Sequence, residues 1–349
     1  MRNLVGRITG WDTAVIVVLV VFLAVAALTV DNFGTARNVS FLVLDLAPIA
    51  LIALPMTLIV ATGEIDLSVA STLGLSSAVL GALWDAGLPI ETIIPLCLVL
   101  GALLGAVNGV FVTVFGLPSL AVTIGTLALY RGLAFVVLGD RAVAKFPRRY
   151  TSWVTGTIPG TPIPNLLLPL VVLALVFGIV LHATPIGRRV FTTGANAEAA
   201  RFAGTRVRAL KFWLYVVTGA VCALAGLLWT LRYSSARADN GAGLELAVVA
   251  AVLLGGVSIF GGTGTLWGVL AGVTLLASLQ NALRLADVTN EALSVVTGVL
   301  LIVSVLAPNV VARVGAWRHR RRSGPPSAAP PSSPLSSPPS TMPVATRSS

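Results

Sequence analysis

Charge is scarce in this chain. Only 10% of its 349 residues are charged, against about 25% in a soluble globular protein. Lysine is scarcer still, with Lys145 and Lys211 the two present, each followed by phenylalanine. A phosphate-cradling loop needs Gly-Lys-Ser/Thr, so this chain has no such loop, and any ATP hydrolysis belongs to another subunit. Cys97 and Cys222 both lie inside apolar blocks. They read as small buried hydrophobes and build neither a disulfide framework nor a metal site. His182 and His319 are far apart and carry no ligand pattern. His182 falls at a segment end, where an interfacial side chain is expected. With no Gly-x-Ser-x-Gly elbow and no histidine inside a span, serine hydrolases and intramembrane proteases are also excluded. No catalytic residue, cofactor or metal is expected.

What fills the space instead is apolar: 56% of the residues are hydrophobic, and they fall in long uncharged blocks, the signature of membrane spans. Thr13–Val30 is the first. A cleaved signal peptide is the competing reading, but the run is long and further spans follow at once. Asn38–Gly63 is the second. It holds Asp45, Pro48 and Pro55 and is expected to bend or break. Leu67–Trp84 is the third. Thr92–Tyr130 has no charge and is divided by Gly116-Leu117-Pro118 into two spans joined by a tight turn. After a polar loop from Gly139 to Pro164 come Leu166–Leu181, a charged loop from Gly187 to Lys211, and Phe212–Leu231. A polar loop from Arg232 to Gly243 follows. Leu246–Leu283 is again uncharged and is split by Gly261-Gly262-Thr263-Gly264. That glycine cluster reads as a tight turn and a close helix approach, not a nucleotide loop. Ala292–Ala312 is the last. The reading is an all-α membrane protein of about ten transmembrane helices. Residues 1–12 form an N-terminal segment, 13–312 a polytopic domain and 313–349 a tail.

The net charge of +10 sits in the gaps between apolar blocks and in the tail, not on a basic face with interleaved aromatics, so nucleic acid is not an expected partner. An even number of spans puts both ends on one side. The N-terminus, the Gly187–Lys211 loop and the tail from Arg313 together carry 14 of the 23 basic residues, which places both termini in the cytoplasm by the positive-inside bias. The Gly139–Pro164 loop, with Arg141, Lys145, Arg148 and Arg149, runs against it. From about Ser323 the tail is Ser, Pro and Ala and reads as disordered. Arg318, Arg320, Arg321 and Arg322 before it mark the membrane surface and suit anionic lipid.

Three features stand out. In Gly63-Glu64-Ile65-Asp66-Leu67-Ser68-Val69-Ala70-Ser71, two carboxylates lie between apolar segments, where they must face a cavity, the protein interior or water. The alternative is a short turn in which Asp66 or Ser68 caps the next helix, and both readings are compatible. Within the Gly187–Lys211 loop, Asn196 to Gly204 reads as a short helix with Asn196 as N-cap, Glu198 in the first turn and Gly204 at the stop. Its alanines make it thin enough to dock in a groove on another protein; an amphipathic helix lying on the membrane is the alternative. Arg131 and Glu245 sit at segment edges, where they can snorkel, while Asp45 is deeper and suits a structural hydrogen bond.

Four motifs then occur in order. Positions 63 to 71 resemble the Gly-x-Ile-Asp-Leu-Ser-Val-Gly signature of permeases for ribose, xylose, rhamnose and similar sugars. Leu117-Pro118-Ser119-Leu120-Ala121-Val122-Thr123-Ile124-Gly125-Thr126 resembles that family's Leu-Pro-x-Phe-Ile-x-Thr-Leu-Gly-Thr. Gly187-Arg188-Arg189, Gly194-x-Asn196 and Ala199-Ala200-x-x-x-Gly204 are similar to its cytoplasmic loop. Leu253-Leu254-Gly255-Gly256-x-Ser258-x-x-Gly261-Gly262-x-Gly264 is similar to its late glycine motif. Together they cover about residues 40 to 310. Glu64, Ala70 and Leu120 depart from the pattern. The family also takes up the signalling sugar autoinducer-2, and branched-chain amino acid permeases are more distant relatives.

The resemblance implies a permease subunit of an ATP-driven importer in a bacterial inner membrane, with two inverted halves as in type II importers. It implies three partners: a second permease subunit (the same chain or a sister), an extracytoplasmic sugar-binding protein, and a cytoplasmic ATPase docked on the helix of Asn196, Glu198, Ala199, Ala200 and Gly204. Candidates for the translocation pathway are Glu64, Asp66, Ser68, Asn108, Thr123, Thr126, Gln280 and Asn281; for the uncharged ones a structural hydrogen bond is the competing role. An ion-coupled transporter using Asp45 or Asp66 is the other mechanism to weigh. A non-transporting scaffold is disfavoured because the chain shows no large soluble domain.

Overall fold

A computed structural model describes residues 10–289, 291–303 and 306. The expectations for residues 1–9 and for the basic tail lie outside the described residues. The helices are α1 (Gly10–Thr29), α2 (Ala36–Ala61), α3 (Val69–Asp85), α4 (Ile90–Thr113), α5 (Ser119–Leu138), α6 (Arg148–Thr155), α7 (Leu167–Ala183), α8 (Pro185–Ala195), α9 (Ala197–Phe202), α10 (Val207–Tyr233), α11 (Leu244–Leu254) and α12 (Leu266–Leu285). A further apolar helix, α13, spans Glu291–Val303.

Each of the ten expected segments contains a helix among the described residues. Six (α1, α2, α4, α5, α10 and α12) are long and apolar enough to cross a membrane. A seventh is reached if α7 and α8, bent by 67° at Thr184, count as one broken span. The other three, α3, α11 and α13, are shorter. At 1.5 Å per residue, the 11 residues of α11 rise only about 16 Å, half of a hydrocarbon core of about 30 Å. Asp66, Gly255-Gly256 and Gly261 to Gly264 interrupt runs that hydropathy alone reads as continuous.

Two loops also differ from expectation. The Gly187–Lys211 region is not a loop with one short helix but two helices, α8 and α9, because Thr184 caps α8 by accepting from the Ile186 amide and proline opens its first turn. The Gly139–Pro164 loop contains α6 and a strand, β1 (Val143–Ala144), paired antiparallel with β2 (Ser235–Ala236). Nor is α2 broken: it runs through Pro48 and Pro55. It is buried over most of its length, and surrounding helices make such prolines tolerable in a membrane helix.

The interior is organised around α2 and α10. α10 packs against α4, α3 and α2. Its crossing with α4 is backbone on backbone: a Cβ at Gly101, Gly105 or Gly219 would overlap a main-chain oxygen of the facing helix. Small residues at such crossings replace the hydrophobic drive that lipid does not supply. Ser77 Oγ and Thr230 Oγ1, 2.6 Å apart, tie α3 to α10. Tyr130 of α5 donates to the Leu104 carbonyl of α4 at 2.9 Å.

Candidate functional site

The α2–α3 connection, Thr62 to Ser68, carries several hydrogen bonds to side chains of other helices. Asp66 Oδ1 accepts from the Ser68 amide at 2.9 Å and from Ser68 Oγ at 2.6 Å. Ser68 is the N-cap of α3 and no side chain caps the helix; contrary to the expected cap, Asp66, 3% exposed, bonds only the residue that precedes the first turn. Asn108 of α4 donates its amide to Ser68 Oγ at 2.8 Å, and its own Oδ1 has no hydrogen-bond partner among the described residues. Ser119, the first residue of α5, accepts from the Ile65 amide at 3.2 Å, and Thr123 donates to the Ile65 carbonyl at 3.3 Å. Glu64 pairs with Lys211 in the first turn of α10. Thus four of the expected pathway residues with side-chain bonds here, Asp66, Ser68, Asn108 and Thr123, converge on one buried network, with Glu64 at its edge. Burial pushes the Asp66 carboxyl up to about 6, opposed by its two Ser68 hydrogen bonds.

Not every candidate belongs to it. Thr126 donates within its own helix, to the Val122 carbonyl at 3.1 Å. Asn281 exchanges amide hydrogen bonds with Asn38 at 2.9 and 3.1 Å, and Gln280 donates to Thr297 Oγ1 at 3.0 Å. Asn38 stands at the start of α2 and the network at its end, so about 35 Å of helix separates them. At that far end Asp45 is held by Arg232 of α10 and, at 2.9 Å, by Arg284 of α12. Its structural role is ionic, a clamp joining three helices.

Arg131 does not snorkel from an edge. Its guanidinium lies inside the bundle and donates to the carbonyls of Ala238 at 2.8 Å, Asn240 at 2.9 Å and Ala70 at 3.3 Å. Gly74 leaves it room, since a Cβ there would stand 2.5 Å from Nη1. His182 accepts from the Leu266 amide at 3.2 Å, at the start of α12. Sequence reasoning missed Ser119 and Lys211 as partners of the network. Ser119 lay inside a quoted motif, but nothing in its spacing shows that it faces Ile65.

Directly beside the network, three backbones meet. The Gly262 amide donates to the Ala61 carbonyl at the end of α2, 2.9 Å away. A Cβ on Gly194, near the end of α8, would overlap that same oxygen and the Gly262 nitrogen. Gly262 itself has φ +80°, a left-handed conformation that glycine adopts without strain. The first, third and fourth motifs are thus parts of one backbone junction, and α9 leaves from it. Asn196 Oδ1 accepts from the Ala199 amide at 2.9 Å as N-cap, and Gly204 ends the segment at φ +84°. Ala199 and Glu198 are exposed, but Ala200 is 4% exposed and packs on the rest of the chain. Phe202, at the end of α9, is 86% exposed. A cavity of about 640 Å³ lies between α8 and α9, lined by Arg188, Thr192, Asn196 and Ala199 among others.

The arrangement has no group of three His, Cys, Asp or Glu able to hold a metal among the described residues. It offers a buried, largely uncharged polar cluster, a backbone junction and a small helix with an aromatic tip. The family model of the branched-chain amino acid transport system permease component matches residues 38–305. The chain is 33% identical over 323 residues to the autoinducer 2 import system permease protein LsrD of Yersinia enterocolitica, covering 90% of this chain and 97% of that one. It is 32% identical over 328 residues to the LsrD protein of Yersinia pseudotuberculosis, covering 91% and 98%. It is 31% identical over 328 residues to that of Photorhabdus temperata, with the same coverage. No solved structure matches the chain.

Proposed function

Because this chain belongs to the branched-chain amino acid transport system permease component family, we propose that it is the membrane subunit of an ATP-driven importer for a small sugar, a monosaccharide or an autoinducer-2-like molecule. The observation that carries the sugar assignment is its similarity to autoinducer 2 import permeases over nine-tenths of its length. The family is one of multi-pass permeases of the inner membrane, and a permease is not itself an enzyme. Hydrolysis falls to a separate cytoplasmic ATPase, consistent with a chain whose two lysines are each followed by phenylalanine.

In this reading the α8–α9 end is cytoplasmic, as are both termini, and the ATPase docks on α9. Support comes from the exposed Ala199, Glu198 and Phe202 and from the junction that ties α9's root to α2 and to the α11–α12 turn. A push on α9 is thereby delivered to the segment that carries Asp66. The shorter α3, α11 and α13 complete ten crossings in two inverted halves. A second permease subunit completes the pathway, and an extracytoplasmic binding protein delivers the sugar to the end that carries Asp45.

Uptake into proteoliposomes tests this. The permease with its ATPase and binding protein should accumulate sugar on ATP addition, and omission of either partner should stop it. A second reading, ion-coupled transport, is favoured by one observation, the buried Asp66 with its raised pKa. Uptake by the permease alone that collapses with a proton uncoupler would establish that mechanism instead.

A further inference from the structure

A cavity of about 820 Å³ opens between α7 and α10, away from the buried polar network. Its floor is Leu58 of α2, and its walls include Phe177, Leu210 and Leu214. At one end it is bordered by α8, which turns 67° away from α7, and by the Gly204–Arg206 connection. Arg189 of α8 and Arg206 both line that end. No acidic side chain lines the cavity, and neither guanidinium has an ion-pair partner among the described residues. Trp213, 61% exposed, stands on its wall.

The dimensions are those of one leaflet. From Arg206 to Val217, the last lining residue on α10, the helix rises about 16 Å at 1.5 Å per residue. Half of a hydrocarbon core of about 30 Å is 15 Å. An apolar slot of that depth with two unpaired arginines at its helix-end mouth has the profile of an anionic phospholipid: acyl chain below, phosphodiester above. Guanidinium groups bind phosphate oxygens in a bidentate manner, and basic pockets between membrane helices favour acidic headgroups.

The geometry points to a binding site for an anionic phospholipid in the α7–α10 cleft, with Arg189 and Arg206 holding the headgroup. The inference needs only that the chain spans a membrane, and its test uses no ATPase, binding protein or sugar, so its failure leaves the transport reading untouched.

The whole permease in detergent is titrated with phosphatidylglycerol and with phosphatidylcholine, and bound lipid is counted by native mass spectrometry. Phosphatidylglycerol should bind roughly tenfold more tightly. The double variant R189Q/R206Q should lose most of that difference while keeping phosphatidylcholine binding. Equal affinity for the two lipids, or an unchanged preference in the variant, would overturn the proposal. A second measurement needs no variant. Phosphatidylglycerol with a photoreactive acyl chain should label the wild-type protein within residues 176–180 or 210–217; labelling confined to other helices, or cross-linking of a second copy of the chain through this cleft, would equally overturn it.

Discussion

The two ends of α2 are held by opposite means. At its start, side chains reach between helices: Asp45 to Arg232 and Arg284, and Asn38 to Asn281. At its end, backbones touch: Ala61 against Gly194 and Gly262, with a polar network beside them whose ion pair is Glu64 with Lys211. Ionic and amide ties can be broken and remade as helices move, whereas a backbone contact that tolerates no Cβ fixes position. The fixed end is the one that carries α9, the proposed docking place of the ATPase.

The largest expected effect is at the fixed end. Gly194→Ala puts a methyl group into the Ala61 carbonyl, a main-chain neighbour that cannot rotate away. It should cost about 3 kcal/mol of stability, read as lower yield of folded protein and a lower thermal midpoint in detergent. A neutral Gly194→Ala would erase the contrast between the two ends. Next comes the clamp. Asp45→Ala leaves Arg232, whose side chain is 8% exposed, without its carboxylate. A loss of about 2–3 kcal/mol is expected, and little further loss when Arg232 is also replaced by Met. Additive losses in that double variant would show that the pair does not act as a unit.

The buried carboxylate sharpens the comparison by pH. Asp66 titrates near 6 in the folded chain and near 3.9 when unfolded. Between those values the folded state holds more protons, so stability should fall as pH rises from about 4 to about 6 and level off above, by on the order of 2 kcal/mol. Asp66→Asn should flatten that slope. A wild-type thermal midpoint that does not fall over this interval would contradict the raised pKa. The smallest effect on stability is at the aromatic tip. Phe202→Ala should change the thermal midpoint by less than about 0.5 kcal/mol equivalent, because the ring is exposed. Retention of the ATPase on the permease during co-purification should nevertheless drop several-fold.

These two ends also differ in how far they could be read from sequence. Helix positions followed from uncharged runs, and the Gly116-Leu117-Pro118 break fell between the end of α4 at Thr113 and the start of α5 at Ser119. Asp66 and Ser68 are a local pair, two residues apart, but the cap their spacing suggested is not made, because both donors to Asp66 belong to Ser68 itself. What was not visible is long-range. Asp45 meets Arg232 and Arg284, 187 and 239 residues on, and no single-sequence pattern pairs them. Arg131 looked like an edge charge because its acceptors are main-chain carbonyls, which leave no mark on composition. α8 was hidden by its own arginines: Arg188 and Arg189 make its sequence read as loop, although a helix that bends away from α7 can carry charge at the membrane surface. The glycine turn at Gly261 to Gly264 was legible, but the length of α11 was not, because the helix already stops at Leu254, before Gly255-Gly256.

The account turns on α9 as the place where an outside motor acts. Ala199 is exposed at the rim of the α8–α9 cavity and Ala200 is buried, so Ala199→Arg alters the docking surface with less disturbance of packing than a change at Ala200. Sugar uptake should be measured in proteoliposomes holding the permease, its ATPase and its binding protein, with folded variant matched to wild type. Ala199→Arg should lower ATP-dependent uptake at least about tenfold. Uptake equal to wild type would contradict it.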